Sequence, residues 1–406
     1  MTPTDTTAED VWRECAPHVL AALVRKFGDF EAAEDALQEA LADAHVQWPA
    51  QGIPERPRGW LIRVAERRLI DHKRSEDARL RREERLAVQP GPEAAPDTDD
   101  SLTLLLLCCH PALSPDLQVA LTLRAVGGLS TAQIARAFLV PEATMTRRIT
   151  RAKTRLRQAD ARFTSPPPHE LPDRIRAVAH VLYLIFTEGH TATTGTELTD
   201  STLAAEAVRL TRQLHTRLPA DTEITGLLAL MLLTHARRAA RLDADGNLRT
   251  LTDQDRTRWD SAMVTEGVHL LETALPTGPV GPYQLQAAIA AVHAEAKDAA
   301  QTDWPQIVLL YEMLQRLTPS PVLTLNHAVA VAETRGPAEA LAMIRPLLED
   351  PALRRQHRVH AVHAHLLRAA GQEQAARAEY ARAAELATSI AEQRYLNAQG
   401  ANQGRT

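Results

Sequence analysis

Four carboxylates, Glu31, Asp35, Glu39 and Asp43, follow one another at steps of four in FEAAEDALQEALADA, residues 30–44. On a helix that spacing stacks them on one face, where each like-charged pair costs about 0.2–0.5 kcal/mol. Such a stripe makes no bonds. It is either a solvated face or an offer of complementary charge to a basic partner. Two later stretches are crowded with the opposite charge. Arg56, Arg58, Arg63, Arg67, Arg68, Lys73, Arg74, Arg79, Arg81, Arg82 and Arg85 outnumber the acids of the first, and Arg147, Arg148, Arg151, Lys153, Arg155, Arg157 and Arg162 face a single Asp160 in the second. Concentrated positive charge on small helical domains is the footprint of phosphate binding.

Constellations that could make or break bonds are weaker. HRVHAVHAH (357–365) puts His357 and His360 on nearby faces, with His363 and His365 partly diverging, and FTEGH (186–190) offers Glu188 and His190. A metal centre needs three convergent ligands, and the chain has no H-E-x-x-H. The histidines read as packing of repeat helices. CCH (108–110) continues the apolar run LTLLLL and reads as buried helix. No metal, cofactor or catalytic group is expected.

The elements that must position these charges are helices. Ala, Leu, Arg and Glu dominate, β-branched alternation is scarce, and Gly, Pro and Ser clusters supply the breaks, so the chain is expected to be all-α. Behind the acidic stripe, Ala33, Ala36, Leu37, Ala40 and Leu41 form the buried side, with Asp29 as N-cap. Between 113 and 157 the signals describe a helix-turn-helix. Ser114 and Pro115 open a helix that ends at Gly127-Gly128, and Ser130 with Gln133 makes a capping box ahead of Ile134, Ala135 and Phe138. After a break at Leu139-Val140, Met145, Ile149 and Ala152 turn inward, leaving Thr146, Arg147, Arg148, Arg151 and Lys153 outside. A final helix of this kind lies in a major groove. Glu142, Ala143, Thr146 and Arg147 would then reach base edges, and Arg148, Arg151 and Lys153 would reach phosphates.

At 406 residues and 45% hydrophobic content the chain can hold two or three cores. Its N-terminus lacks a basic and an apolar region of a signal peptide, and the longest apolar run, GLLALMLL at 226–233, is too short to span a bilayer. A cytoplasmic location without membrane contact is expected. The three cysteines cannot build a disulfide framework, and the net charge of −5 argues against indiscriminate coating of nucleic acid. A Pro/Ala/Asp-rich tract and the FTSPPPHELPD stretch divide the chain. The expected parts are 1–82, a linker 83–100, 101–162, a Pro-rich linker 163–172, and 173–406. Asp245-Gly246 is expected to turn a short hairpin.

AEDALQEAL (33–41) resembles region 2.2 of the sigma-70 family of bacterial RNA polymerase initiation factors, and WLIRVAERRLIDHKR (60–74) resembles regions 2.3 and 2.4. GLSTAQIARAFLVPEATMTRRITRAKTRLR (128–157) is similar to region 4.2. The ordered set matches the extracytoplasmic-function (ECF) class, which has only sigma2 and sigma4 domains. The resemblance implies that Asp35, Gln38 and Glu39, flanked by Glu31 and Asp43, meet the clamp helices of the largest subunit of core RNA polymerase. It implies that Arg63, Arg67, Arg68 and Arg74 address the minus-ten element of promoter DNA, and that the helix-turn-helix takes the minus-thirty-five element. The loop PAQGIPERP (49–57) would receive a flipped base, with Trp48 as a stacking aromatic and Trp60 in the core.

Beyond residue 173, FTEGHTA, GLLALMLLTHARRAAR, LTDQDRTRWD, YQLQAAIAAVHAEA and TDWPQI resemble the extension of one large ECF group, described as tetratricopeptide-like. Independently of that resemblance, Gly336 and Gly371 each separate two helices, and Ala376, Tyr380 and Ala383 fit second-helix positions of such a repeat. The stack would offer a concave face to a peptide, a protein or the sigma domains, and so regulate the factor. Two rivals remain at this level. A helix-turn-helix regulator with a helical sensing domain explains the basic helices but not the acidic one. A metal-dependent enzyme fused to a DNA-binding region requires bound zinc.

Overall fold

The computed structural model describes residues 8–80, 100–138, 140–190, 201–243, 246–351 and 353–401. Among them α-helices and short 3-10 turns account for all regular structure, apart from one antiparallel bridge, Leu242 to Leu248. That bridge is what the described residues show of the expected hairpin, with Gly246 at φ +78° and Asp245 outside them. The chain divides into two compact units, residues 1–184 and 185–406.

In the first unit α1 (Ala8–Phe27), α2 (Phe30–Gln51) and α3 (Pro57–Leu80) pack on one another. Val19, Leu20, Leu23, Leu37, Leu61 and Leu69 fill the space between them. Asp29 caps α2 as expected, its carboxylate accepting from the Ala32 amide at 3.0 Å. There follow α4 (Ser101–Cys108), α5 (Pro115–Ala125), α6 (Thr131–Ala137), α7 (Glu142–Gln158) and the start of α8 (Leu171–His190). α5, α6 and α7 pack mutually around Leu121, Leu123, Ile134, Met145 and Ile149, and α4 lies against both α1 and α5. The capping box is present: the Gln133 amide donates to the Ser130 hydroxyl at 3.1 Å, and the Ser130 amide to the Gln133 side chain at 2.8 Å. Cys108 and Cys109 are fully buried, and burial pushes the Cys109 thiol up to about 12.

The second unit runs through α9 (Ser201–Arg217), α10 (Thr222–His235), α11 (Ser261–Ala274), α12 (Pro282–Glu295), α13 (Trp304–Leu317), α14 (Pro321–Arg335), α15 (Pro337–Glu349), α16 (His357–Ala369), α17 (Glu373–Leu386) and α18 (Ile390–Ala401). From α12 onward each helix packs on the next, the arrangement of a helical-repeat stack. Gly336 at φ +90° and Gly371 at φ +74° make two of the turns between them. α10 is apolar on every side and buried. It touches α12 at Gly226, where a Cβ atom would stand 2.6 Å from Gln284 Cγ and 2.8 Å from the Gln284 nitrogen. No described helix is long and apolar enough to cross a membrane.

Candidate functional site

All four carboxylates of the acidic stripe are answered within the chain. Glu31 pairs with Arg157 at 2.6 Å, Asp35 with Lys153 at 2.9 Å, and Asp43 with Arg68 at 2.7 Å, with Glu39 3.6 Å from the same guanidinium. Between the first two lies a carboxylate that the stripe pattern misses. Glu34 is 2% exposed, on the apolar side of α2, and receives both Lys153 at 2.6 Å and Arg124 at 2.8 Å. An acid flanked by Ala33 and Leu37 on a buried face was the available signal; its partners stand 90 and 119 residues away and carry no local trace.

Lys153 therefore departs from expectation. Instead of joining the exposed basic face of α7 it is buried, because its ammonium reaches Glu34 and Asp35. Burial alone would pull its pKa down, but the two carboxylates outweigh burial and raise it. The rest of the face is open. Glu142, Ala143, Thr146, Arg147 and Arg151 are exposed and Arg148 is half-buried. Arg147 folds back, donating to the Ala143 carbonyl at 3.2 Å. Together Arg147, Arg148, Arg151 and Arg155 line a cleft of about 320 Å³ against Ser114 and Asp116. Four guanidiniums against one carboxylate make a surface suited to phosphate oxygens.

On α3, Arg63, Arg67 and Arg68 are exposed and line a cleft of about 730 Å³ with Asp43, Gln47 and Trp60. Arg74 belongs to α3, but its side chain lies outside the described residues, as do Leu139 and residues 81–99 of the expected linker. The two tryptophans exchange the places expected of them. Trp48 is 3% exposed, wedged between the rings of Trp12 and Trp60 at 6.0 and 5.7 Å, whereas Trp60 lines the arginine cleft. The reason is helical phase: Trp48 continues the Ala33–Leu37–Ala40–Ala44 side of α2. Gln38 is half-buried on α2, and Asp35 and Glu39 are exposed there.

In the second unit a cleft of about 640 Å³ is lined by Trp304, Tyr311, Glu333, His365, Tyr380 and Tyr395, among others. Burial pushes the Tyr311 and Tyr395 hydroxyls up to about 12, so both remain neutral donors at neutral pH. The histidines of α16 are engaged in packing contacts. His360 joins Glu379 at 2.6 Å and the Arg354 carbonyl at 2.8 Å, and His357 lies 3.3 Å from Glu392. No group of three or more potential metal ligands occurs among the described residues.

A three-helix module carrying an arginine cleft, followed by a helix-turn-helix with a second one, defines the class: a two-module DNA-binding factor with a helical extension. Residues 11–79 match the family Sigma-70 region 2, residues 103–156 match Sigma-70, region 4, and residues 174–275 match a family of unknown function, DUF6596. An uncharacterized protein of Rhizobium meliloti is 44% identical over 94% of this chain and 92% of its own length. The "probable ECF RNA polymerase sigma factor SigI" of Mycobacterium tuberculosis is 28% identical over 40% of this chain, which spans 59% of that factor. No solved structure matches. The chain belongs to the sigma-70 family, as an ECF-type member with a C-terminal extension. The family's role is transcription initiation, its partners are core RNA polymerase and promoter DNA, and it is not a family of enzymes.

Proposed function

We propose that this chain binds core RNA polymerase through α2, directs it to promoters, and has that activity modulated by its extension, without bond chemistry of its own. What carries the proposal is the exposed pair Asp35 and Glu39 on the helix that matches region 2. With Gln38 beside them and Glu31 and Asp43 flanking, they face the basic clamp helices of the largest subunit. Binding there exchanges intramolecular ion pairs for intermolecular ones, which favours encounter rate and register more than affinity. Arg63, Arg67, Arg68 and Arg74 address the minus-ten element, next to the loop that takes up a flipped base, which the helix ends shorten from the expected 49–57 to 52–56. Glu142, Ala143, Thr146 and Arg147 read the minus-thirty-five element and Arg148 and Arg151 hold its phosphates. Lys153 joins them only when released from Glu34 and Asp35.

The aromatic cleft of the repeat stack, with neutral tyrosine hydroxyls among apolar walls, suits a protein segment or peptide, through which the extension acts on the sigma domains. The work takes place in the cytoplasm, where polymerase is. Run-off transcription with core polymerase tests all of this by comparing the intact chain with one ended at Phe163. A promoter-specific transcript that depends on the chain, with a yield altered by truncation, is expected. No such transcript would overturn the initiation role, and an unaltered yield would overturn the modulating one.

A further inference from the structure

The five motifs of the extension that promoter recognition leaves unused come together in one cluster of the second unit. FTEGHTA supplies His190, GLLALMLLTHARRAAR supplies His235, Arg237 and Arg241, LTDQDRTRWD supplies Arg256 and Trp259, YQLQAAIAAVHAEA supplies His293, and TDWPQI supplies Thr302. Two of the three arginines have evident structural work. Arg256 donates to the His293 and Ala296 carbonyls at 2.7 and 2.5 Å and to the Thr302 hydroxyl at 3.2 Å, closing the end of α12. Arg241 donates to the His190 carbonyl at the end of α8.

Arg237 has no such work. Its guanidinium sits 5.9 Å from the centre of the Trp259 ring, which Arg256 also approaches at 5.2 Å. Its Nε is buried and donates to no acceptor, and Trp259 Nε1 and His235 Nδ1 are likewise buried without a partner. Three unpartnered polar groups in one small cluster is an unusual concentration, since buried polar groups are nearly always satisfied. The charge is equally one-sided. Burial, then Arg241 and Arg256, pull Arg237 down to about 10, which leaves it protonated at neutral pH. Burial, then Arg241, Arg237 and His235, hold His190 at about 2, and burial, then Arg237 and Arg256, hold His293 at about 4, so both rings stay neutral. The acids that reach the cluster act at its edges: Glu392 on Arg241, Asp298 on Arg256 and Asp260 on His235. No described carboxylate bonds to Arg237.

We propose that Arg237, over the Trp259 ring in the cluster where the Trp259 indole N–H and His235 Nδ1 are also unpartnered, anchors a binding site for the oxyanion group of a small molecule, a phosphate or a carboxylate. A guanidinium fork is the side chain best matched to both, and a half-buried one such as Arg237 holds them through charge-assisted hydrogen bonds. A metal cation is excluded by the local charge. The site gives the extension a ligand to respond to. That consequence rests on the modulating role proposed above, but binding itself does not, so the two fail separately.

The test is thermal unfolding of the full chain in inorganic phosphate or acetate, titrated at constant ionic strength against chloride. A saturable rise in Tm, about 5 °C at a hundredfold excess over Kd, is expected with one of the two anions, and which one identifies the group. Arg237→Met should abolish the rise while leaving the ligand-free Tm unchanged or higher, because it removes a half-buried charge that no described carboxylate neutralises. Trp259→Phe keeps the ring and should weaken binding about tenfold, whereas Arg238→Met, at the exposed neighbour, should bind normally. No anion-specific rise in the wild type, or an equal rise in Arg237→Met, would overturn the proposal. So would a lower ligand-free Tm in both Arg237→Met and Arg237→Lys, which would mark the residue as structural.

Discussion

Two clusters of buried charge in this chain are built in opposite ways. Where α7 meets α2, each buried cation has a carboxylate: Lys153 has Glu34 and Asp35, and Arg124 has Glu34. In the extension, Arg237 shares its surroundings with two more arginines and neutral histidines. The first cluster closes on itself and must exchange partners to do anything further. The second lacks an acceptor and can only gain one. Burial cost is the same physics in both, so the difference lies in what each helix was given to face.

The sharpest way to break the contrast is to remove the hub of the paired cluster. Glu34→Leu strips Arg124 of its carboxylate and leaves Lys153 with Asp35 alone, and should cost about 3 kcal/mol in urea unfolding. A loss below 1 kcal/mol would make this contact as open as the other. Next in size is a pH effect whose two largest histidine contributions come from the unpaired cluster. His190 and His293 titrate near 2 and 4 when folded but near 6.5 when unfolded. A depressed folded pKa stabilises above the unfolded value and loses that contribution as pH falls toward the folded one. Between pH 7 and pH 5 each should therefore cost roughly 2 kcal/mol. Stability measured across that range should fall, and His293→Asn should flatten the slope.

Lys153 behaves in the opposite sense. Its raised pKa means the contact holds through neutral pH and is lost only as pH rises above the ordinary lysine value of about 10.4. A smaller effect concerns the open face of α7. Arg148→Ala should weaken DNA binding and lower the salt slope by about one unit, and an unchanged slope would turn that side chain away from phosphate. Smallest is the capping box, where Ser130→Ala should cost about 1 kcal/mol of stability.

Sequence carried the local features well. The Asp29 cap, the Ser130–Gln133 box, the inward Met145, Ile149 and Ala152, and the turns at Gly336 and Gly371 all depend on neighbours within a few residues. Features set by distant contacts were hidden. Lys153 reads as one more exposed cation until α2 brings Glu34 to it, and Trp48 reads as a surface aromatic until Trp12 packs beneath it. The five extension motifs were visible one by one, yet nothing in their order along the chain indicates that His190, Arg237, Trp259 and His293 share one place. Only the stacking of helices separated by tens of residues supplies that.

The most direct measurement for the account is the affinity of core RNA polymerase for the full chain against a chain carrying Asp35→Arg and Glu39→Arg. Both side chains are exposed, but Asp35 also pairs with Lys153, so the comparison is made at a temperature where unfolding curves show both chains folded. A drop of at least tenfold, shrinking as salt is raised, is predicted for complementary charge at this surface. Equal affinity for the two chains at low salt would contradict the assignment of α2 to the polymerase.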